Sequence, residues 1–138
     1  MEFLQLDVVT PERRLVSERV DSVAVPGAGG ELGILPGHAP MISQLQTGIL
    51  RYTQTGATYQ LHVSGGFVEV NHDRVSVLAE VAERPDEINQ LNARTDKEQF
   101  EKALSSFSGS DEEFNRLRTG LDRAKARLQL TEGVHAKA

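Results

Sequence analysis

Residues 64–84 read SGGFVEVNHDRVSVLAEVAER. Within this stretch Val75, Val77, Ala79 and Val81 alternate with Ser76, Leu78 and Glu80, directly after the turn formers Asn71-His72-Asp73. Side chains of an extended chain point to opposite faces in turn. Alternation of apolar and polar residues therefore marks a strand with one buried face. The same period recurs toward the N-terminus: Leu4, Leu6 and Val8 around Gln5 and Asp7, Val23 and Val25 around Ala24, and Tyr59, Leu61 and Val63 around Gln60 and His62. Turn formers separate these runs at Thr10-Pro11, Pro26-Gly27, Gly29-Gly30, Pro36-Gly37, Thr55-Gly56 and Ser64-Gly65-Gly66. Short strands at this spacing over residues 3–81 predict an antiparallel β-sandwich or flattened barrel.

Toward the C-terminus, Pro85 ends the strand pattern and the period changes. Asp86 is the expected N-cap of a helix running to about Leu104, with Ile88, Leu91, Phe100, Ala103 and Leu104 as its apolar stripe and a polar gap over 94–99. Residues 105–109, SSFSG, read as a loop. Ser110 and Glu113 then form the signature of a capping box. Phe114, Leu117, Leu121, Ala124 and Leu128 step along one face of a second helix, and Gly133 is its expected stop. Acids at 111–113 and bases at 123–127 lie in the order the helix dipole favours. Two helices joined by a short loop predict an antiparallel hairpin. The expected organisation is an N-terminal antiparallel β-sandwich over residues 1–85 and a C-terminal helical hairpin over 86–138.

The charge distribution supports that division. Residues 1–85 carry six Lys/Arg and ten Asp/Glu, whereas residues 86–138 carry nine and ten. The first part is sparsely charged and acidic; the second is densely charged and nearly balanced, a change of structural type. The 138-residue chain has 38% hydrophobic residues and no tryptophan, so only one modest core is expected. A hairpin with a narrow apolar face buries little by itself and is expected to lean on another surface, which makes it a candidate moving part. The net charge of −5 argues against nucleic acid as the main partner. The absence of cysteine excludes disulfides, zinc–thiolate sites and cysteine nucleophiles. No apolar run approaches the roughly 20 residues needed to span a bilayer. The chain enters strand pattern directly after Met1-Glu2-Phe3, and no signal or transit peptide is expected.

No catalytic constellation emerges. PGAGGELG, residues 26–33, lacks the Gly-Lys-Ser/Thr of a phosphate-binding loop, and its glycines have the wrong spacing for a dinucleotide fingerprint. It reads as a tight connection between strands. The four histidines, His38, His62, His72 and His135, have no metal-ligand spacing. Ser64 lacks the Gly-x-Ser-x-Gly frame. Arg116, Arg123 and Arg127, spaced by seven and four, share one helical face. They read either as a solvated stripe or as a contact for an anion or an acidic protein surface.

Three segments together resemble the epsilon subunit of F-type ATP synthases: GELGILPGHAP at 30–40, TGILR at 47–51 and residues 64–84 quoted above. The resemblance covers essentially the whole chain and is most specific in the β part. It implies a non-catalytic rotor subunit of the central stalk, whose sandwich binds the gamma subunit and rests on the ring of c subunits. It implies that the hairpin can lie folded or extend into the catalytic head of alpha and beta subunits, where it resists rotation in the direction of ATP hydrolysis. The expected interface residues are Glu31, which the resemblance turns toward the polar loops of the c subunits, His38, and Arg116, Arg123 and Arg127 on the second helix. In some bacterial members the folded hairpin binds ATP through a motif similar to Ile/Leu-Asp-x-x-Arg-Ala. Here that stretch reads Ile88-Asn89-Gln90-Leu91-Asn92-Ala93, with Asn89 and Asn92 in place of the charged residues. Arg123 and Arg127 match basic positions of those members. The expectation is no cofactor, and at most weak regulatory binding of ATP. The implied location is the cytoplasmic face of a bacterial plasma membrane, or the stromal side of a thylakoid membrane. The competing reading is a free-standing β-sandwich binding module that dimerises through its helices. An enzyme is the least favoured reading.

Overall fold

The computed structural model describes residues 2–136, with side chains described as far as residue 132. Eight strands come first: β1 Leu4–Val9, β2 Arg14–Val20, β3 Ser22–Gly27, β4 Gly30–Ile34, β5 Met41–Gln44, β6 Gly48–Gln54, β7 Ala57–Asn71 and β8 Arg74–Glu83. A 3-10 turn, Pro85–Glu87, leads to helices α1 Gln90–Ser105 and α2 Asp111–Ala136. The chain divides into two compact units between Arg84 and Pro85.

The strands are ordered β2-β1-β8-β7-β6-β3-β4, and β5 pairs with β7. The pairings are antiparallel apart from one: β1 runs parallel to β8, Gln5–Val9 against Arg74–Leu78. The alternation in the sequence could not distinguish this, because a parallel ladder needs only a long connection. Here the connection is the rest of the sandwich. Leu4, Leu6, Val8, Val23, Val25 and Leu50 are buried together in the core. Fully burying each such side chain stabilises the fold by roughly 1.5–3 kcal/mol.

β7 shows how one strand serves both layers. It is 15 residues long; its first half pairs with β6 and its second half with β5. Leu61 and Val63 point into the core, and so do Val68 and Val70. An odd spacing separates the two sets, so the inward phase reverses between them. The reversal falls at Gly65 and Gly66, with φ of 73° and 101°. A Cβ at Gly66 would overlap the carbonyl oxygen of Leu78 on β8. Glycine is therefore required by backbone conformation and by close approach. Across the ladder β8 reverses too: Val75, Val77 and Ala79 are buried, then Ala82. The alternation extrapolated from sequence puts Val81 in the core. The bend makes Val81 half-buried and buries Ala82 instead.

In the second unit, Asp86 is not the helix cap. It lies in the 3-10 turn, where the Ile88 N–H donates to the Pro85 carbonyl at 3.2 Å. Asn89 caps α1: its backbone is extended and its side-chain oxygen accepts from the Asn92 N–H at 2.9 Å. Asn and Asp cap about equally well, so the choice is made by the turn that Pro85 initiates. Ser110 caps α2 as expected, its hydroxyl accepting from the Glu113 N–H at 3.2 Å. The helices approach closely where Gly120 faces Phe100; a Cβ there would lie 2.5 Å from the ring. α2 passes through Gly133 to Ala136, since an interior glycine costs only about 1 kcal/mol. The buried positions of α2 include Ala126 and Leu130, whereas the expected Leu128 is half-buried.

Candidate interface surfaces

Three exposed apolar side chains stand on the outward face of β5, β7 and β8, among the polar Gln44, Glu69, Ser76 and Glu80. Phe67 and Leu78 are cross-strand partners, 51% and 56% exposed, and Ile42 on β5 is 68% exposed. In register, Gln44 faces Phe67 and Val9 faces Leu78. Recesses flank the strip. One, of about 420 Å³, is lined by Pro40, Met41, Ile42, Glu69, Val70 and Asn71. The other, of about 330 Å³, is lined by Val9, Thr10, Pro11, Leu78, Ala79 and Glu80. Contiguous exposed apolar side chains on a sheet, rimmed by polar ones, are the usual sign of a docking surface. Leu78 falls in the polar phase of β8, and the reversal at Gly65-Gly66 turns Phe67 outward against the alternation of Tyr59, Leu61 and Val63. That anomaly was the available signal.

Glu31, expected in a tight connection between strands, lies on β4 opposite Pro26, two residues past the two-residue turn Ala28-Gly29. Its carboxylate, 64% exposed, pairs with Arg51 at 3.5 Å. His38 sits in the connection between β4 and β5. Its N–H donates to the Leu35 carbonyl at 3.1 Å, and its Nδ1 lies 2.7 Å from the Ala39 carbonyl oxygen, which makes Nδ1 the protonated nitrogen. No hydrogen bond or ion pair joins Glu31 to His38 among the described residues.

The arginines of α2 do not behave alike. Arg116 is exposed and has no ion pair among the described residues, whereas Arg123 and Arg127 are half-buried and both are engaged by other groups. At the start of α1, Asn89 is committed to its cap and Ala93 is buried; Asn92 and Leu91 are exposed.

Of the remaining titratable groups, His62 is fully buried, with Nδ1 2.7 Å from Glu83 Oε1 and no partner at Nε2 among the described residues. Burial pushes the Tyr52 phenol above its ordinary pKa, Glu18 and the stacked Tyr59 push it the same way, and Arg84 opposes them. Among the described residues, no cluster of three or more His, Asp or Glu side chains could hold a metal ion, and no helix is long and apolar enough to cross a membrane. The His135 side chain lies outside the described residues.

These surfaces define a β-sandwich protein with an attached helical pair, which carries exposed apolar side chains on one sheet face. Residues 3–85 match the family model described as ATP synthase, Delta/Epsilon chain, beta-sandwich domain. The ATP synthase epsilon chain of Desulforamulus reducens is 44% identical over 93% of this chain and 96% of its own length. That of Geobacter sulfurreducens is 40% identical over 94% of both. The chain belongs to the ATP synthase epsilon chain family. A solved structure of the Euglena gracilis mitochondrial ATP synthase, comprising OSCP, F1 and c-ring, contains a chain of the same fold. Its TM-score is 0.79 at 24% identity, over 91% of this chain and 79% of that one. The central stalk and c-ring structure from Tetrahymena thermophila contains another, at TM-score 0.66 and 14% identity, over 93% and 96%.

Proposed function

We propose that this chain is a non-catalytic rotor subunit of the central stalk of a proton-translocating F-type ATP synthase. In this reading the sandwich docks on the gamma subunit and the c-ring, and the helical hairpin restrains ATP hydrolysis. The observation that carries the reading is the apolar face of Ile42, Phe67 and Leu78. Burying three such side chains gives a partner several kcal/mol of contact energy, and the strip lies on hydrogen-bonded strands that cannot shear easily. A subunit that passes torque needs both properties. The two solved assemblies containing the same fold are ones of F1 with c-ring and of central stalk with c-ring, which agrees with this placement. The complex would sit on the cytoplasmic face of a bacterial plasma membrane, with catalysis carried by the alpha and beta subunits.

The hairpin acts in this scheme by docking on the catalytic head through Arg116, Arg123 and Arg127. Arg–carboxylate contacts contribute on the order of 1–3 kcal/mol each when desolvated and much less when exposed. ATP is at most a weak regulatory ligand, because the positions that carry charge in the ATP-binding motif are a capping Asn89 and an exposed Asn92. The test is co-purification from native membranes with the gamma subunit, c-ring and catalytic head. A chain recovered alone or as a homodimer would instead support a free-standing binding module.

A further inference from the structure

The connection between β7 and β8 is a two-residue turn, His72-Asp73, closed by the pair Asn71 and Arg74. Both turn residues have positive φ, 50° and 60°. Tight hairpins favour this mirror-image geometry because it matches the twist of the strands, and they usually place glycine in it. Neither residue here is glycine. Asp tolerates the left-handed region better than most residues, yet glycine would adopt it with less strain. What glycine lacks is the carboxylate. Asp73 Oδ1 accepts the Gly37 N–H at 2.7 Å, while the Asp73 carbonyl accepts the Gln5 N–H at 2.8 Å.

Gly37 is the left-handed residue of the β4–β5 connection, with φ of 88°. Its neighbour His38 is bonded, among the described residues, to Leu35 and Ala39, within the same connection. Among the described residues, the bond to Asp73 is therefore the hydrogen bond that ties the middle of residues 35–40 to the body of the sandwich. That connection begins at Leu35, which is 63% exposed. It ends at Pro40, which shares with Ile42 and Asn71 the recess beside the apolar face. Turn, connection and apolar strip thus form one continuous surface.

We infer that Asp73 is a positioning residue. Through the Gly37 N–H it holds residues 35–40 in the conformation that presents Leu35 and His38 to the rotor partner. The inference rests on the proposed function for the identity of that partner. Asp73 does not itself touch the partner.

The experiment compares two variants of the full chain. Asp73→Gly keeps the positive φ and deletes the acceptor; Asp73→Asn keeps both the turn and a side-chain oxygen. Amide exchange at Gly37 is followed by NMR, and affinity is measured for a purified subcomplex of gamma and c-ring. A charged acceptor lost from a partly solvated site costs about a factor of ten. Asp73→Gly is expected to exchange Gly37 about tenfold faster and to bind about tenfold more weakly, and Asp73→Asn to resemble the parent in both. Faster exchange with unchanged binding would overturn the inference. So would an Asn variant as weak as the Gly variant, which would mean a direct charge contact, or a Gly variant that fails to fold, which would make the Asp73–Gly37 bond a requirement of folding and not of presentation. If the parent chain does not bind the subcomplex, the proposed function fails, and the exchange data still decide whether Asp73 positions the connection.

Discussion

Phe67 and Leu78 face each other across the β7–β8 ladder with half or more of each side chain exposed. They stand beside the bend at Gly66, whose missing Cβ lets the Leu78 carbonyl approach. The bend and the apolar face are thus parts of one local arrangement. Replacing both residues with Thr keeps strand propensity and removes apolar area. Sandwich stability should change by no more than about 0.5 kcal/mol per site. Affinity for the gamma and c-ring subcomplex should fall by at least about a hundredfold, as expected from roughly 1.5–3 kcal/mol per buried side chain. Unchanged affinity in a pull-down titration would remove this face from the interface.

The bend itself is testable. Gly66→Ala places a Cβ on the Leu78 carbonyl at a φ of 101° and should cost more than about 2 kcal/mol. Gly56→Ala, at a φ of 82° with open space around its Cβ, should cost about 1 kcal/mol. Denaturant melts of both variants give the comparison. Equal losses would mean that close approach adds nothing to conformation.

Glu31 lies beside a two-residue turn and is well exposed. A cysteine at this position should crosslink to a polar loop of the c subunits in the assembled enzyme. Crosslinks confined to subunits of the catalytic head would reverse the orientation proposed for the sandwich.

Nucleotide binding should be weak in the unaltered chain. Asn89→Asp preserves the α1 cap, because either side chain accepts the Asn92 N–H. Combined with Asn92→Arg, it supplies the two charges that the motif lacks. Titration calorimetry should show ATP binding strengthened by about tenfold or more. Tight binding by the unaltered chain would contradict the weight given to these two positions.

Removing residues 86–138 should leave the sandwich folded, since its core cluster is drawn entirely from residues before Pro85. Membrane ATP hydrolysis should rise while proton pumping stays coupled. Arg116→Ala, Arg123→Ala and Arg127→Ala together should reproduce part of that rise. Unchanged hydrolysis after truncation would show that the hairpin is no brake. Lost pumping would assign it to assembly instead.

Much of the fold was legible in the chain itself. Period-two runs, turn formers and the Ser110 cap are local properties, set by backbone geometry and by the nearest hydrogen-bonding group. They mark β1, β3, the first part of β7, β8 and the two helices, but not β2, β4, β5 or β6. Local pattern cannot say which face of a strand a second layer will cover. That is why extrapolated alternation puts Val81 in the core in place of Ala82, and why it does not turn Phe67 outward: β7 and β8 change phase at the bend at Gly65-Gly66. The parallel pairing of β1 with β8 and the reach of Asp73 to Gly37 join residues far apart in sequence, and they exist only once the chain has closed. Sequence alone determined where the marked strands and the helices form, because those preferences act within a few residues. Tertiary structure decided which side chains face outward to meet a partner, because burial is set by whatever the rest of the chain brings alongside.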